Sequence, residues 1–284
     1  MRKRLAPYWL ILPGGLWLVV FFVVPMIAMA NVSLQTGSLE TGFQQTFAWH
    51  NYVDMISSYH TQLLRSLVYG LATTVITIAL AYPMAYWIAF RGGRHKSTYL
   101  FLILLPFFVT FVIRTISWQF LLADDGIVLG HLKGWGLLPE GFHVIATPYA
   151  VVGGLVYNFL PFMVLPIYVA LERIDRSLLE AASDLFASRR EAFTQVVLPL
   201  SLPGVFAGVI LTFVPAASDY VNASILGGTG QIMIGNVIET LYLTNSDYPD
   251  AAALSSILLA ALLIGIFTYA KALGTKDVMD VSAG

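Results

Sequence analysis

Two ionisable side chains stand in stretches otherwise too apolar to hold a charge, and they define the chemistry open to this chain. Asp219 follows an apolar run that starts near Pro203; sixteen helical steps put it roughly 24 Å along that helix, towards the far side of a bilayer and just past an expected kink at Pro215. A carboxylate at that depth is a functional candidate because burying it unpaired is costly. It could meet an ammonium group, with the ring of Tyr220 attracting the same cation. The alternative is an Asp that hydrogen-bonds locally at a helix end. Arg114 lies at a similar depth and pulls the other way. On a pathway it would favour an anion; otherwise it snorkels to headgroups or pairs with an acid, Asp219 being one candidate. Trp118, Tyr157 and Phe159 could line a pathway, or serve as packing and interfacial-belt residues. Glu239 and the pair Asp124–Asp125 read as solvated loop charges.

Other chemistries are excluded. Gly227-Gly-Thr-Gly230 resembles a phosphate loop only superficially, since no Lys-Ser/Thr and no strand–loop–helix context accompany it. The five histidines (His50, His60, His95, His131, His143) lack metal-ligand spacing, and no H-E-x-x-H or G-x-S-x-G occurs. With no cysteine there is neither thiol catalysis nor a disulfide. A net charge of −1 offers no basic field for nucleic acid. The chain carries no catalytic constellation and cannot hydrolyse ATP alone.

The elements that position these residues follow from hydropathy. At 58% hydrophobic and 11% charged, the chain could not cover a water-facing surface, so its solvent is lipid. Charge-poor stretches of about 20 residues predict six spans: 9–31, 66–90, 97–122 (containing Arg114), one within 146–171, 202–225 and 251–270. The apolar run after Met-Arg-Lys-Arg is too long for a signal peptide and reads as a retained first span. Lys and Arg in the connections set the orientation: with the N-terminus inside, 12 of the 15 positive residues are cytoplasmic, leaving Arg65, Arg114 and Lys133 towards the outside. Both termini are then cytoplasmic, and the outer loops cover 32–63, 123–147 and 227–250. Residues 1–63 form an N-terminal span with its outer loop, and 64–284 a five-helix core.

The cytoplasmic segment 177–204 between spans 4 and 5 carries the sharpest pattern. Ser177 with Glu180, and Ser188 with Glu191, each match a capping box. They predict two short helices broken near Phe186–Ala187, the second stopped by Pro199. Leu178, Leu179, Ala182, Leu185 and Phe186 give the first helix an apolar side that needs a partner, and the small Ala181 and Ala182 let one approach closely. The segment reads as a docking element for a cytoplasmic protein.

Glu180-Ala181-Ala182, then Asp184-Leu185, Ala187, Phe193 and Leu198-Pro199-Leu200, resembles the EAA loop of binding-protein-dependent ABC importer permeases. Phe186 stands where that loop usually has glycine, so it must reach the bend with ordinary dihedrals or fill a pocket on the partner. The stretch from Gly154 to Tyr168, Met233-Ile-Gly-Asn-Val-Ile238 and Tyr248-Pro249-Asp250 are similar to the spermidine/putrescine permeases. The resemblance implies an all-α membrane protein of the type I importer permease fold, in the bacterial inner membrane, that carries polyamines by alternating access. It implies two ATPase subunits docked on cytoplasmic coupling helices (Glu180, Ala181, Ala182, Asp184, Leu185, Phe186, Ala187, Leu198, Pro199), a second permease subunit, an external binding protein, and no cofactor here beyond ATP with magnesium in the ATPases. Asp219, Tyr220, Trp118 and Tyr157 are the pathway candidates. Relatives for aminophosphonates, opines or metal–anion complexes keep an anionic cargo as the alternative. An ion-coupled carrier would show two related halves, and an intramembrane enzyme paired reactive groups at mid-bilayer; neither is found.

Overall fold

A computed structural model describes residues 6–272. The basic residues Arg2, Lys3, Arg4 and Lys276 used for the orientation lie outside the described residues. The elements run in the order α1 (Ala6–Leu18), a π turn (Val19–Val23), α2 (Val24–Val32), strands β1 (Gln35–Ser38) and β2 (Gly42–Gln45), α3 (His50–Arg91), α4 (Lys96–Leu104), a 3-10 turn (Leu105–Phe108), α5 (Phe111–Leu122) and α6 (Ile127–Gly134). Then follow α7 (Pro148–Glu172), α8 (Arg176–Asp184), α9 (Arg189–Ala192), a π turn (Phe193–Val197), α10 (Leu198–Ala217), α11 (Val221–Leu226), α12 (Ile234–Glu239), a π turn (Thr240–Thr244) and α13 (Tyr248–Ala272).

Among the described residues, five helical stretches are long and apolar enough to cross a membrane: Leu12–Val32, His50–Arg91, Pro148–Glu172, Arg189–Ala217 and Tyr248–Lys271. The sixth expected span, 97–122, is not straight. Gly93–Phe108 and Phe111–Gly134 meet at 90°. Pro106 cannot donate to the helical ladder, and Val109 and Thr110 are extended, so the chain turns at that point. The outer loops also hold structure. Residues 32–63 contain an antiparallel hairpin in the register Gln35↔Gln45 to Ser38↔Gly42, followed by the early turns of α3, which begins well before residue 66. Within 227–250, Ile234–Glu239 and a π turn replace the expected loop.

The chain divides into two compact units. In the first, residues up to Thr61 with Val237–Ala261, the start of α3 is pinned to the hairpin strand: Asn51 Nδ2 donates to the carbonyls of Ser33 (3.0 Å) and Gln35 (2.9 Å). The rings of Phe43 and Tyr242 flank Tyr248 with centroids at 5.5 and 5.0 Å.

The second unit, Gln62–Asn236 with residues from Leu262 onward, is organised by α7 against α10. Gly204 and Gly208, one helical turn apart, let the two backbones approach. A Cβ on Gly204 would stand 2.5 Å from the Pro166 carbonyl oxygen, and one on Gly208 2.5 Å from Met163 Sδ. Between membrane helices, where lipid is as apolar as leucine, such close van der Waals packing takes over the role that burial plays in water. Ala81, Ala85 and Ala89 of α3 complete this core against Met163, Val164, Ile167 and Leu171.

Candidate functional site

The second unit contains two groups of residues with functional character. The first is the segment between α7 and α10. Asp175, not Ser177, caps α8: its carboxylate accepts from the Ser177 N–H at 3.0 Å. That bond precedes the expected Ser177–Glu180 box and makes it redundant. The second box is formed, with Glu191 N–H donating to Ser188 Oγ (3.3 Å) and Ser188 N–H to Glu191 Oε2 (2.7 Å). The hydrogen bonds of Ser177 hold the Asp175 carboxyl below the usual carboxylate range, because they favour its charged form.

The break falls where the sequence places it, but by a different backbone. Phe186 has φ +59°, the left-handed conformation that costs an L side chain energy, rather than ordinary dihedrals. Its N–H bonds the Ser183 carbonyl at 2.9 Å, and the Ala187 N–H bonds that of Ala182 at 3.0 Å. These are the two bonds of a Schellman helix end, in which glycine is the usual left-handed residue. The phenyl ring is 96% exposed and Leu185 81%. Glu180, Ala181 and Asp184 are exposed, and Ala182 and Ala187 half-exposed. Leu179 instead packs against the α3–α7 core, so the expected apolar side is divided between core and solvent.

Pro199 does not stop the second helix. The helical stretch Arg189–Ala217 is continuous, with Pro199 exposed and Leu198 half-buried in the first turn of α10. The π turn explains this: the Leu198 N–H bonds the Phe193 carbonyl, five residues back, so the ladder is already out of α register where proline removes a donor. Phe193 stands edge-on to Tyr82 and Tyr86, with centroids 5.8 and 5.9 Å away, tying this turn to α3.

The second group is a buried polar junction of α5, α7 and α11. Thr115 Oγ1 donates to Asn222 Oδ1 at 3.3 Å. Asn158 Nδ2 lies 3.2 Å from Asn222 Oδ1 and 3.3 Å from Thr115 Oγ1. Asn222 in turn donates to Asp219, from its N–H to Oδ2 at 2.8 Å and from Nδ2 to Oδ1 at 3.3 Å. Asp219 is 8% exposed. It occupies a break, not a kinked helix: α10 ends at Ala217 and α11 begins at Val221. The carboxylate thus hydrogen-bonds at a helix start, as the alternative reading of the sequence has it, and does so inside a buried polar network. Tyr220 is 47% exposed, and its carbonyl accepts from Asn236 Nδ2 at 2.8 Å.

Arg114 is also 8% exposed. Among the described residues it makes no ion pair, and Nε and Nη1 find no acceptor. Its guanidinium carbon lies 4.6 Å over the Phe107 ring and 5.8 Å from that of Phe111, so it spans the bend of the broken span. The structure thus gives Arg114 neither the expected headgroup-facing exposure nor an acidic partner. Trp118 and Tyr157 are half-buried and edge-on at 5.3 Å, next to the junction on α5 and α7. Phe159 is buried in packing with Phe111. Thr115, Asn158 and Asn222 are not singled out by the sequence; their one signal there is polarity within otherwise apolar spans. Of the loop acids, Asp124 pairs with Lys133 at 3.0 Å.

The chain as a whole is similar to known proteins. Residues 55–273 match the family described as "Binding-protein-dependent transport system inner membrane component". The spermidine/putrescine transport system permease protein PotB of Salmonella typhimurium is 34% identical over 269 residues, 94% of each chain. PotB of Escherichia coli is 33% identical over 90% of this chain and 94% of its own. Among solved structures, a chain of a bacterial ABC transporter that imports the acidic polysaccharide alginate superposes with a TM-score of 0.70 at 18% identity, covering 96% of both chains.

Proposed function

We propose that this chain, which belongs to the family of binding-protein-dependent transport system inner membrane components, passes polyamines of the spermidine and putrescine class. It is the membrane-embedded permease of an ABC importer, and ATP hydrolysis belongs to partner subunits. The observation that carries the cargo assignment is the similarity to PotB at 34% identity over 94% of both chains. The site chemistry agrees with it. Asp219 is a buried carboxylate whose hydrogen-bond donors in the junction are the neutral groups of Asn222, so its charge remains available to an ammonium group. Tyr220 follows it in the chain, and Trp118 and Tyr157 stand on the same helices as Thr115 and Asn158, so aromatic π-faces accompany the junction.

The excess of positive residues in one set of connections supports an orientation with both termini and the segment between α7 and α10 in the cytoplasm. In that orientation Glu180, Ala181, Ala182, Asp184, Leu185, Phe186, Ala187, Leu198 and Pro199 form the face on which an ATPase subunit docks. A second ATPase, a second and different permease chain and an external binding protein complete the transporter. Residues 64–284 then act as the five-helix core, with 1–63 as an added span.

A second reading, an anionic cargo, is favoured by one observation: Nε and Nη1 of the buried Arg114 have no acceptor among the described residues. Uptake by membrane vesicles separates the two. Asp219→Asn keeps the shape and removes the charge, and should cut uptake of radiolabelled spermidine or putrescine while assembly with the ATPase is preserved. Absence of spermidine and putrescine uptake by the wild type, with uptake of an anionic solute that Arg114→Gln abolishes, defeats the polyamine reading and leaves the importer standing; normal polyamine uptake in Asp219→Asn removes only the part assigned to Asp219.

A further inference from the structure

The polar junction holds two buried opposite charges that do not meet. Arg114 rests on Phe107 and Phe111 with Nε and Nη1 lacking any acceptor among the described residues. Asp219 is bonded by the backbone and amide N–H groups of Asn222. Ring faces and amide dipoles reduce the cost of burying each charge without cancelling it, because a buried ion is fully compensated only by a counter-charge in good geometry.

A hydrogen-bonded path leads from the chain neighbour of one charge to the other. Thr115, next to Arg114 in the chain, donates to Asn222 Oδ1 at 3.3 Å, and the same amide donates to Asp219 at 3.3 Å. Two hydrogen bonds and one side-chain amide therefore separate the neighbour of one charge from the other. Each charge also sits beside a break in its own span. Arg114 is in the first turn after the bend, its N–H bonded to the Thr110 carbonyl at 3.1 Å, and Asp219 lies between α10 and α11. Breaks of this kind absorb backbone rotation when helices rearrange, so such a rearrangement moves these two side chains relative to each other. An arginine is long enough to swing from an aromatic shelf to a neighbouring carboxylate while its stem stays packed.

We propose that Arg114 is a specificity-determining residue: it closes onto Asp219 when the transporter is empty, and cargo takes Asp219 only by displacing it onto the Phe107–Phe111 shelf. Arginine binds carboxylate with a rigid fork of donors, a strong competitor for a single ammonium. A cargo with several ammonium groups displaces it; a monoamine does not. The proposal rests on the polyamine reading and assigns Arg114 the part of an internal rival to the cargo.

The test is equilibrium binding of radiolabelled spermidine to the purified permease–ATPase complex without its binding protein, so that the permease alone sets the affinity. Arg114→Gln should bind about tenfold tighter, the factor expected if the closed pair holds roughly nine-tenths of the empty transporters. It should also let a monoamine of matching length compete. In the Asp219→Asn background, Arg114→Gln should change nothing, because the pair is already broken. Arg114→Lys, which keeps the charge, should still exclude the monoamine. Equal or weaker binding in Arg114→Gln, or an unchanged effect in the Asp219→Asn background, overturns the proposal and leaves Arg114 as a prop for the bend.

A second measurement does not depend on how Arg114→Gln folds. The chain has no cysteine, so Arg114→Cys combined with Asp219→Cys introduces the only thiol pair in it. A bifunctional thiol reagent with the reach of an arginine side chain should bridge the pair in the complex, tested without spermidine because Asp219→Cys removes the carboxylate that spermidine would bind. If wild type takes up spermidine but the thiol pair is not bridged, the Arg114–Asp219 contact fails alone. If wild type takes up no polyamine at all, the functional reading fails with it.

Discussion

Phe186 places a bulky side chain in a backbone conformation suited to glycine, and replacing it separates the cost of the turn from the use of the ring. A left-handed φ costs an L side chain about 1–2 kcal/mol. Glycine removes that strain but gives back about 0.5–1 kcal/mol in chain entropy, so Phe186→Gly should leave the end of α8 slightly firmer. Both Schellman bonds are backbone bonds and survive the change. The ring is 96% exposed, so the isolated permease loses almost no packing when it goes. If the ring seats in an apolar pocket of the ATPase, its removal costs roughly 1.5–3 kcal/mol of contact, or about 10- to 150-fold in affinity. The two effects have opposite signs, which makes them separable. Hydrogen exchange at the amides of residues 185–187 reads the local turn, and titration of purified ATPase onto detergent-solubilised permease reads docking. Phe186→Ala keeps the strain and loses the ring, so it should dock as weakly as Phe186→Gly without the firmer turn. ATPase affinity unchanged in both variants would refute the reasoning, and the ring would then be a bystander at the membrane surface.

The remaining predictions concern the exposed face of α8 and the packing of α7 against α10. Glu180→Lys reverses an exposed charge on the α8 face and should uncouple ATP hydrolysis from transport; wild-type stimulation of ATPase activity by loaded binding protein in reconstituted vesicles would count against that docking face. Gly204→Val drives a branched side chain into the Pro166 carbonyl, where a Cβ already stands at 2.5 Å. Overpacking of this kind costs about 1–3 kcal/mol, so the melting temperature of the purified permease should fall. An unchanged melt would mean that α7 and α10 part without penalty.

Lipid-crossing segments are legible in the sequence because charge is scarce there for a physical reason: a helix that crosses hydrocarbon cannot carry many unpaired ions. Composition is blind to direction, however, and so it does not show the bend at Val109–Thr110. The residues on both sides of it are equally apolar whether the chain runs straight or turns through 90°. Pro199 misleads for a related reason. Proline breaks an α ladder, but the π turn before it has already shifted the register. Ser177 and Glu180 fit the pattern of a capping box, yet Asp175 does the capping through a bond to the next-but-one N–H. At the polar junction, Asp219 and Arg114 stand out as charges. Asn158, Thr115 and Asn222 do not, since neutral polar residues are common enough in spans that only their convergence marks them.

The π turn at Phe193–Val197 has a consequence for how this region tolerates insertions and deletions. A π turn holds one residue more than an α-helical turn needs, and each residue of an α-helix advances the side-chain direction by about 100°. Removing one residue between Phe193 and Val197 would restore an unbroken α ladder without shortening the chain noticeably. Because the wider turn already absorbs the extra residue, α9 would keep its direction relative to α10 and Phe193 would stay between Tyr82 and Tyr86. A single-codon deletion here would therefore be absorbed, whereas removing a second residue would turn the preceding segment by about 100° relative to span 5, so the π turn gives this junction a tolerance of one residue and no more.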